Sequence, residues 1–256
     1  MTPYQYVNNN PIMFTDPTGM EADGIIVGND NSKDKTASTA LSEFAATDEG
    51  RIFLADYAKK GDKVGNQTFN EDGKYHKKGI DLIYSFKDLS DVYANGDTDG
   101  KINSTTGRAE ITVRIDNRDG GVESKDHTGS YDSRRYYHQS ISTLSGDRYN
   151  KAVLARGFTI IHESYIHVYN QTLDYLDGGG FNNSHIDSSI KSSFAKYPGH
   201  WEHKQISRGA NKNTQLFNTN GLRAMEQLNN RFGFGTYYNS SNLYRMMWRF
   251  SGSDNR

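Results

Sequence analysis

Between Arg148 and Leu176 the chain is at its most apolar and most periodic, with Ala152, Val153, Ala155, Phe158, Ile160, Ile161, Ile166, Val168, Tyr169 and Leu173 crowded together. Apolar residues fall nearly all round the helical wheel, which predicts a helix buried on every side. Gly178-Gly179-Gly180 ends it. Helical spacing recurs in Thr36–Lys60 through Leu41, Phe44, Ala45, Ile52, Phe53, Ala55 and Tyr57. That stretch predicts two helices broken near Gly50 and stopped after Lys59-Lys60 by Gly61. Leu216–Phe232 reads as a further amphipathic helix and Asn242–Phe250 as a short terminal one.

Asp81–Phe86 and Ala109–Asp116 read as strands, the second with Ile111, Val113 and Ile115 alternating against polar neighbours. Between them Asn95-Gly96-Asp97-Thr98-Asp99-Gly100 carries carboxylates at alternate positions. It could hold calcium, but it lacks the distal Glu of a complete EF-hand ligand set and reads as a plain turn. The polar stretch 21–36 reads as a linker. The expected fold is α+β, a small, twisted, mainly antiparallel sheet packed on the buried helix, with other helices before and after it.

Composition narrows the functional classes. The apolar residues make up 34% of the chain, and 17 Tyr, 12 Phe and 2 Trp are too many aromatics for an unfolded segment. Thirty basic and thirty-one acidic side chains leave a net charge of -1, so nothing draws the chain to nucleic acid as a whole. No run of eighteen apolar residues and no basic-then-apolar leader is present, so neither a membrane span nor a signal peptide is expected. With no cysteine, any metal chemistry has to use histidines and carboxylates.

Residues 1–20 have a character of their own. They hold three of the four prolines, and Tyr4-Gln5-Tyr6-Val7-Asn8-Asn9-Asn10-Pro11-Ile12 and Asp16-Pro17-Thr18-Gly19-Met20 predict extended chain and turn. This segment resembles the closing stretch of the Rhs repeat-associated core, a large β-shell followed by a variable C-terminal toxin or effector domain. The resemblance implies that residues 1–20 are the tail of that core, 21–36 a linker and 37–256 the effector. It also implies delivery into a target cell as part of a larger secreted protein, and a cognate immunity protein as partner.

Within the apolar helix stands Ile160-Ile161-His162-Glu163-Ser164-Tyr165-Ile166-His167. Two imidazoles and a carboxylate are costly to bury unless something compensates, and a divalent cation would. In a His-Glu-x-x-His helix the two histidines share a face and the glutamate holds the attacking water. Here the spacing is five, which on an α-helix turns the rings about 140° apart. The extra residue predicts a π-bulge, a distortion common at functional sites. The motif resembles the His-Glu-x-x-x-His signature of dipeptidyl peptidase III-type zinc peptidases and the metallopeptidase toxin domains that follow Rhs cores. That resemblance implies zinc on His162 and His167, Glu163 as the catalytic base and a zincin-like fold.

Catalytic zinc takes three protein ligands and leaves one position open. Gly199-His200-Trp201-Glu202-His203 supplies candidates. His203 is the first choice because it opens a run that could be helical, with Ile206 as a packing anchor; His200 and then Glu202 are the alternatives. Tyr169, Tyr175, Tyr197 and Arg208 are oxyanion donors by residue type only. Ala109–Asp116 is the expected edge strand for an extended peptide. The expected activity is zinc-dependent hydrolysis of a polypeptide or a peptidoglycan stem peptide.

Two other classes compete. Asp126–His138 holds two histidines, acids, arginines and tyrosines suited to a nuclease toxin, without the usual basic footprint. A closed four-ligand site using both His200 and His203 would instead mark a non-enzymatic binding domain with a structural metal.

Overall fold

The computed structural model describes residues 24–89, 96–118, 148–178, 180–181 and 217–232. In chain order these form β1 (Ile25–Val27), α1 (Thr36–Ala45), α2 (Asp48–Ala55), β2 (Lys63–Val64), β3 (Gln67–Thr68), a short 3-10 turn (His76–Lys78), β4 (Ile80–Lys87), β5 (Gly96–Ile102) and β6 (Ala109–Asp116). A continuous helical rod follows, α3 (Arg148–His162), a π-helical segment (Glu163–Val168) and α4 (Tyr169–Leu176). The last described helix, α5 (Leu222–Arg231), continues a π-helical turn at Phe217–Gly221.

Alternation in β6 puts Ala109, Ile111, Val113 and Ile115 on one fully buried face and leaves Glu110, Thr112 and Arg114 half-buried on the other. In β4 the residues Ile80, Leu82, Tyr84 and Phe86 do the same. That face joins Leu41 and Phe44 of α1, Leu54 of α2, Phe158 and Ile161 of α3, and Met225 and Leu228 of α5 in one core. Burying each such side chain is worth about 1.5–3 kcal/mol.

The four-stranded sheet has the order β1-β4-β6-β5. It is mixed, and the expected mainly antiparallel arrangement is corrected: β1/β4 and β4/β6 are parallel, and only β5/β6 is antiparallel. Alternation reports one open face, which is usual for antiparallel sheets, but it says nothing about chain direction. Here a largely parallel sheet keeps a half-exposed face, so the inference failed. β2 and β3 form a separate antiparallel hairpin.

Three other expectations change. Ile25–Val27, within the stretch read as a linker, pairs with Leu82–Tyr84 and brings Ile25 into the core. The break between the first two helices lies at Ala46-Thr47, where the Thr47 side chain caps α2 by accepting from the Gly50 N–H at 3.0 Å. Gly50 sits inside α2, because a Cβ there would lie 2.0 Å from the Phe44 carbonyl oxygen. The helix ends at Ala55, short of the Lys59-Lys60-Gly61 stop. Asn242–Phe250 lies outside the described residues.

A buried polar cluster closes the sheet at the C-terminal ends of β1, β4 and β6. Asp30 Oδ1 accepts from the Ser32 N–H and hydroxyl and from Asn117 Nδ2, while Oδ2 accepts from the Ser38 N–H in the first turn of α1. Burial pushes this carboxyl up, but the hydrogen bonds from Ser32, Ser38 and Asn117 outweigh it and hold it at about 2. Arg156 reaches in from α3 and donates to the carbonyls of Asp116 and Arg118.

Candidate metal centre

The helix carrying the motif changes pitch at the motif itself. Glu163–Val168 is π-helical between two α-helical stretches, as the five-residue spacing predicts. Hydrogen bonding from i to i+5 brings residues five apart nearly over one another. His162 Nε2 and His167 Nε2 accordingly lie 3.2 Å apart.

Neighbouring elements hold this segment through buried hydroxyls. The Tyr84 hydroxyl on β4 bonds the Ser164 hydroxyl at 2.8 Å, and the Tyr165 hydroxyl donates to the Glu49 carbonyl on α2 at 2.8 Å. One turn on, Thr172 Oγ1 donates to the Val168 carbonyl and therefore accepts from the Tyr57 hydroxyl. Burial pushes the Tyr57, Tyr84 and Tyr165 phenols well up, so all three stay neutral. Phe44 and Phe53 pack on the Tyr165 ring. Sheet and helices thus clamp the wide turn from two sides.

His162 is half-buried, whereas Glu163 and His167 are buried. Glu163 Oε2 lies 4.0 Å from His167 Nε2 and accepts from Thr98 Oγ1 at 2.7 Å. One ligand atom from each of His162, Glu163 and His167 lies within 4.8 Å of the others, a cluster that could hold a metal ion. The donor set fits zinc: two nitrogens at about 2.0–2.1 Å from a tetrahedral centre stand about 3.3 Å apart, close to the spacing found.

The structure therefore brings three of the four expected site residues together, His162, Glu163 and His167. His203, with the alternatives His200 and Glu202, lies outside the described residues, as do Tyr197, Arg208 and the nuclease candidate Asp126–His138. Tyr175 stacks on Phe181, with ring centroids 5.4 Å apart. His76, among the remaining histidines, belongs to a separate cluster with Asp81 and Arg108.

Ala109–Asp116 is not an edge strand, because β4 and β5 flank it. The edges are β1 and β5, and β5 is a strand rather than the expected turn. Its Asp97 and Asp99 pair with Arg114 on the neighbouring β6. At Thr98 the β5 carbonyl already takes a hydrogen bond from Gln171 Nε2, and Gln171 and Phe181 cover the bare side of Gly100.

Thr98 is the contact that reading from sequence missed. Gly96-Asp97-Thr98-Asp99-Gly100 does alternate with period two, but glycine and aspartate are poor strand formers and hide the pattern. No protein-family model, curated protein or solved structure matches the chain. No helix among the described residues is long and apolar enough to cross a membrane.

Proposed function

We propose that the protein is a zinc-dependent hydrolase of peptide bonds, acting on a polypeptide or a peptidoglycan stem peptide. The observation that carries this reading is the π-helical turn that brings the His162 and His167 Nε2 atoms to 3.2 Å, with the Glu163 carboxylate beside them. A helix made irregular at the one place where irregularity aligns two imidazoles has a chemical use for the alignment.

In this reading His162 and His167 hold the metal, with His203 as the third ligand and His200 or Glu202 as its substitutes. Zinc held there supplies a more acidic water and a polarised scissile carbonyl. Glu163 takes the proton of the attacking water on a carboxylate oxygen and passes it to the leaving amine as the C–N bond breaks. Burial of Glu163 against Gly96 and Thr98 of β5 keeps bulk water from competing for that carboxylate. Carriage behind an Rhs-type core, delivery into a target cell and a cognate immunity protein rest on the Tyr4–Met20 motif.

The test is elemental analysis of the purified wild type, Glu163→Gln and a His162→Ala/His167→Ala double variant, beside hydrolysis of labelled casein and of purified peptidoglycan. About one zinc per chain is expected in the first two proteins and none in the third, with turnover lost in Glu163→Gln. His203→Ala should lose the metal as well. Full turnover in Glu163→Gln, or no histidine-dependent metal after zinc is offered at neutral pH, overturns the reading.

A further inference from the structure

We propose that Thr98, on the edge strand β5, is a positioning residue that holds the Glu163 carboxylate in its working orientation beside the histidine pair. The inference rests on the hydrolase reading and deepens it.

The hydroxyl of Thr98 donates to Glu163 Oε2, the carboxylate oxygen that stands 4.0 Å from His167 Nε2. Both residues are buried, so the bond is not exchanged freely for one to water. The strand backbone is itself anchored to the same helix, because the Thr98 carbonyl accepts from Gln171 Nε2. Glu163 and Gln171 stand four residues before and four after His167, so Thr98 bridges the helix across the metal-ligating turn.

The rest of β5 is arranged round this contact. Gly96, on the same strand face, leaves room for the glutamate, since a Cβ there would lie 2.9 Å from both Glu163 Cγ and Oε1. The intervening Asp97 and Asp99 take the other face, where Arg114 holds them at 2.6 Å and 3.3 Å. A register slip of one residue would turn two carboxylates toward Glu163 and remove its donor. A bare position at Gly96 and a hydroxyl at Thr98, with the charges directed away, is what a single buried carboxylate of fixed orientation requires.

The experiment compares the full chain with Thr98→Val, which keeps the shape and loses the hydroxyl, Thr98→Ser, which keeps the hydroxyl, and Glu163→Gln. Zinc affinity is read by competition with a chromogenic chelator, and the visible bands of the protein loaded with cobalt(II) report the surroundings of the metal. In Thr98→Val, zinc affinity should stay within about threefold of wild type, while the cobalt bands move in the same direction as in Glu163→Gln. With labelled casein, kcat should fall about 10–100-fold, with KM changed by less than about threefold. Thr98→Ser should match wild type in spectrum and kcat.

Wild-type bands and kcat in Thr98→Val overturn the inference and leave the hydrolase reading standing. So does a Thr98→Ser protein as impaired as Thr98→Val, which would make the position one of packing. A wild type without histidine-dependent metal overturns both.

Discussion

Adding a single methyl group at Gly96 should separate stability from chemistry. In Gly96→Ala the new Cβ would stand 2.6 Å from Thr159 Cγ2 and 2.9 Å from Glu163 Cγ and Oε1, against ordinary contacts of 3.4 Å or more. Overpacking of this kind costs about 1–3 kcal/mol. Replacing a strand glycine returns about 0.5–1 kcal/mol of backbone entropy. The net loss should be about 1 kcal/mol, read in urea as a lower midpoint with an unchanged m-value. Thr159→Ser removes Cγ2, the closest contact, so the double variant Gly96→Ala/Thr159→Ser should recover most of that loss. Glu163 stays displaced in the double variant, and casein turnover should remain at least about tenfold down. The reasoning fails if Gly96→Ala is as stable as wild type, or if Thr159→Ser restores turnover together with stability.

Two further outcomes test the packing away from the π-helical turn. Asp30→Asn should destabilise the protein by about 2 kcal/mol at neutral pH, because the folded carboxyl is held at about 2, below its ordinary 3.8. The native state binds fewer protons than the unfolded one between those values, so the wild type's advantage is complete above about pH 4 and is lost as the pH falls towards 2. A gap between wild type and Asp30→Asn that is the same at pH 2 and pH 7 in thermal or urea denaturation would contradict this. Gly157→Ala on α3 would drive its Cβ to 2.3 Å from Leu228 Cδ2 on α5, and it should destabilise by about 0–2 kcal/mol after the gain in helix propensity is subtracted. In a Leu228→Ala background the same substitution should stabilise, by up to about 1 kcal/mol. A change that keeps its sign in both backgrounds would mean that the two helices do not meet there.

Much of this architecture can be read along the chain where a local pattern has one physical meaning. The alternating strands at Ile80–Lys87 and Ala109–Asp116 are of this kind. So is the apolar helix whose two histidines stand five apart and require a π-helical turn. Patterns with more than one meaning misled. Alternation revealed a half-open sheet face but not strand direction, and Gly50 read as a helix break although its reason is the close Phe44 carbonyl. β1 is only three residues long and set in polar sequence, so its place in the sheet depends on a partner strand far along the chain. The candidate site divides in the same way. His162, Glu163 and His167 stand out because polar groups in an apolar helix need a reason, whereas Thr98 meets Glu163 across a separation of 65 residues that no local spacing encodes.

The short strand β1 decides where a portable piece of this protein can begin. Its ladder with β4 includes the bond from the Leu82 N–H to the Gly24 carbonyl, and the Gly24 and Ile25 N–H groups donate to the carboxylates of Asp81 and Asp62. A fragment trimmed to residue 37, just past the polar stretch that reads as a linker, forfeits these donors and strips β4 to a raw edge. It would also lose Asp30 and Asp34 from the first turn of α1. Such a fragment should pair with itself through the open strand and aggregate, while one starting upstream of Gly24 should stay in solution.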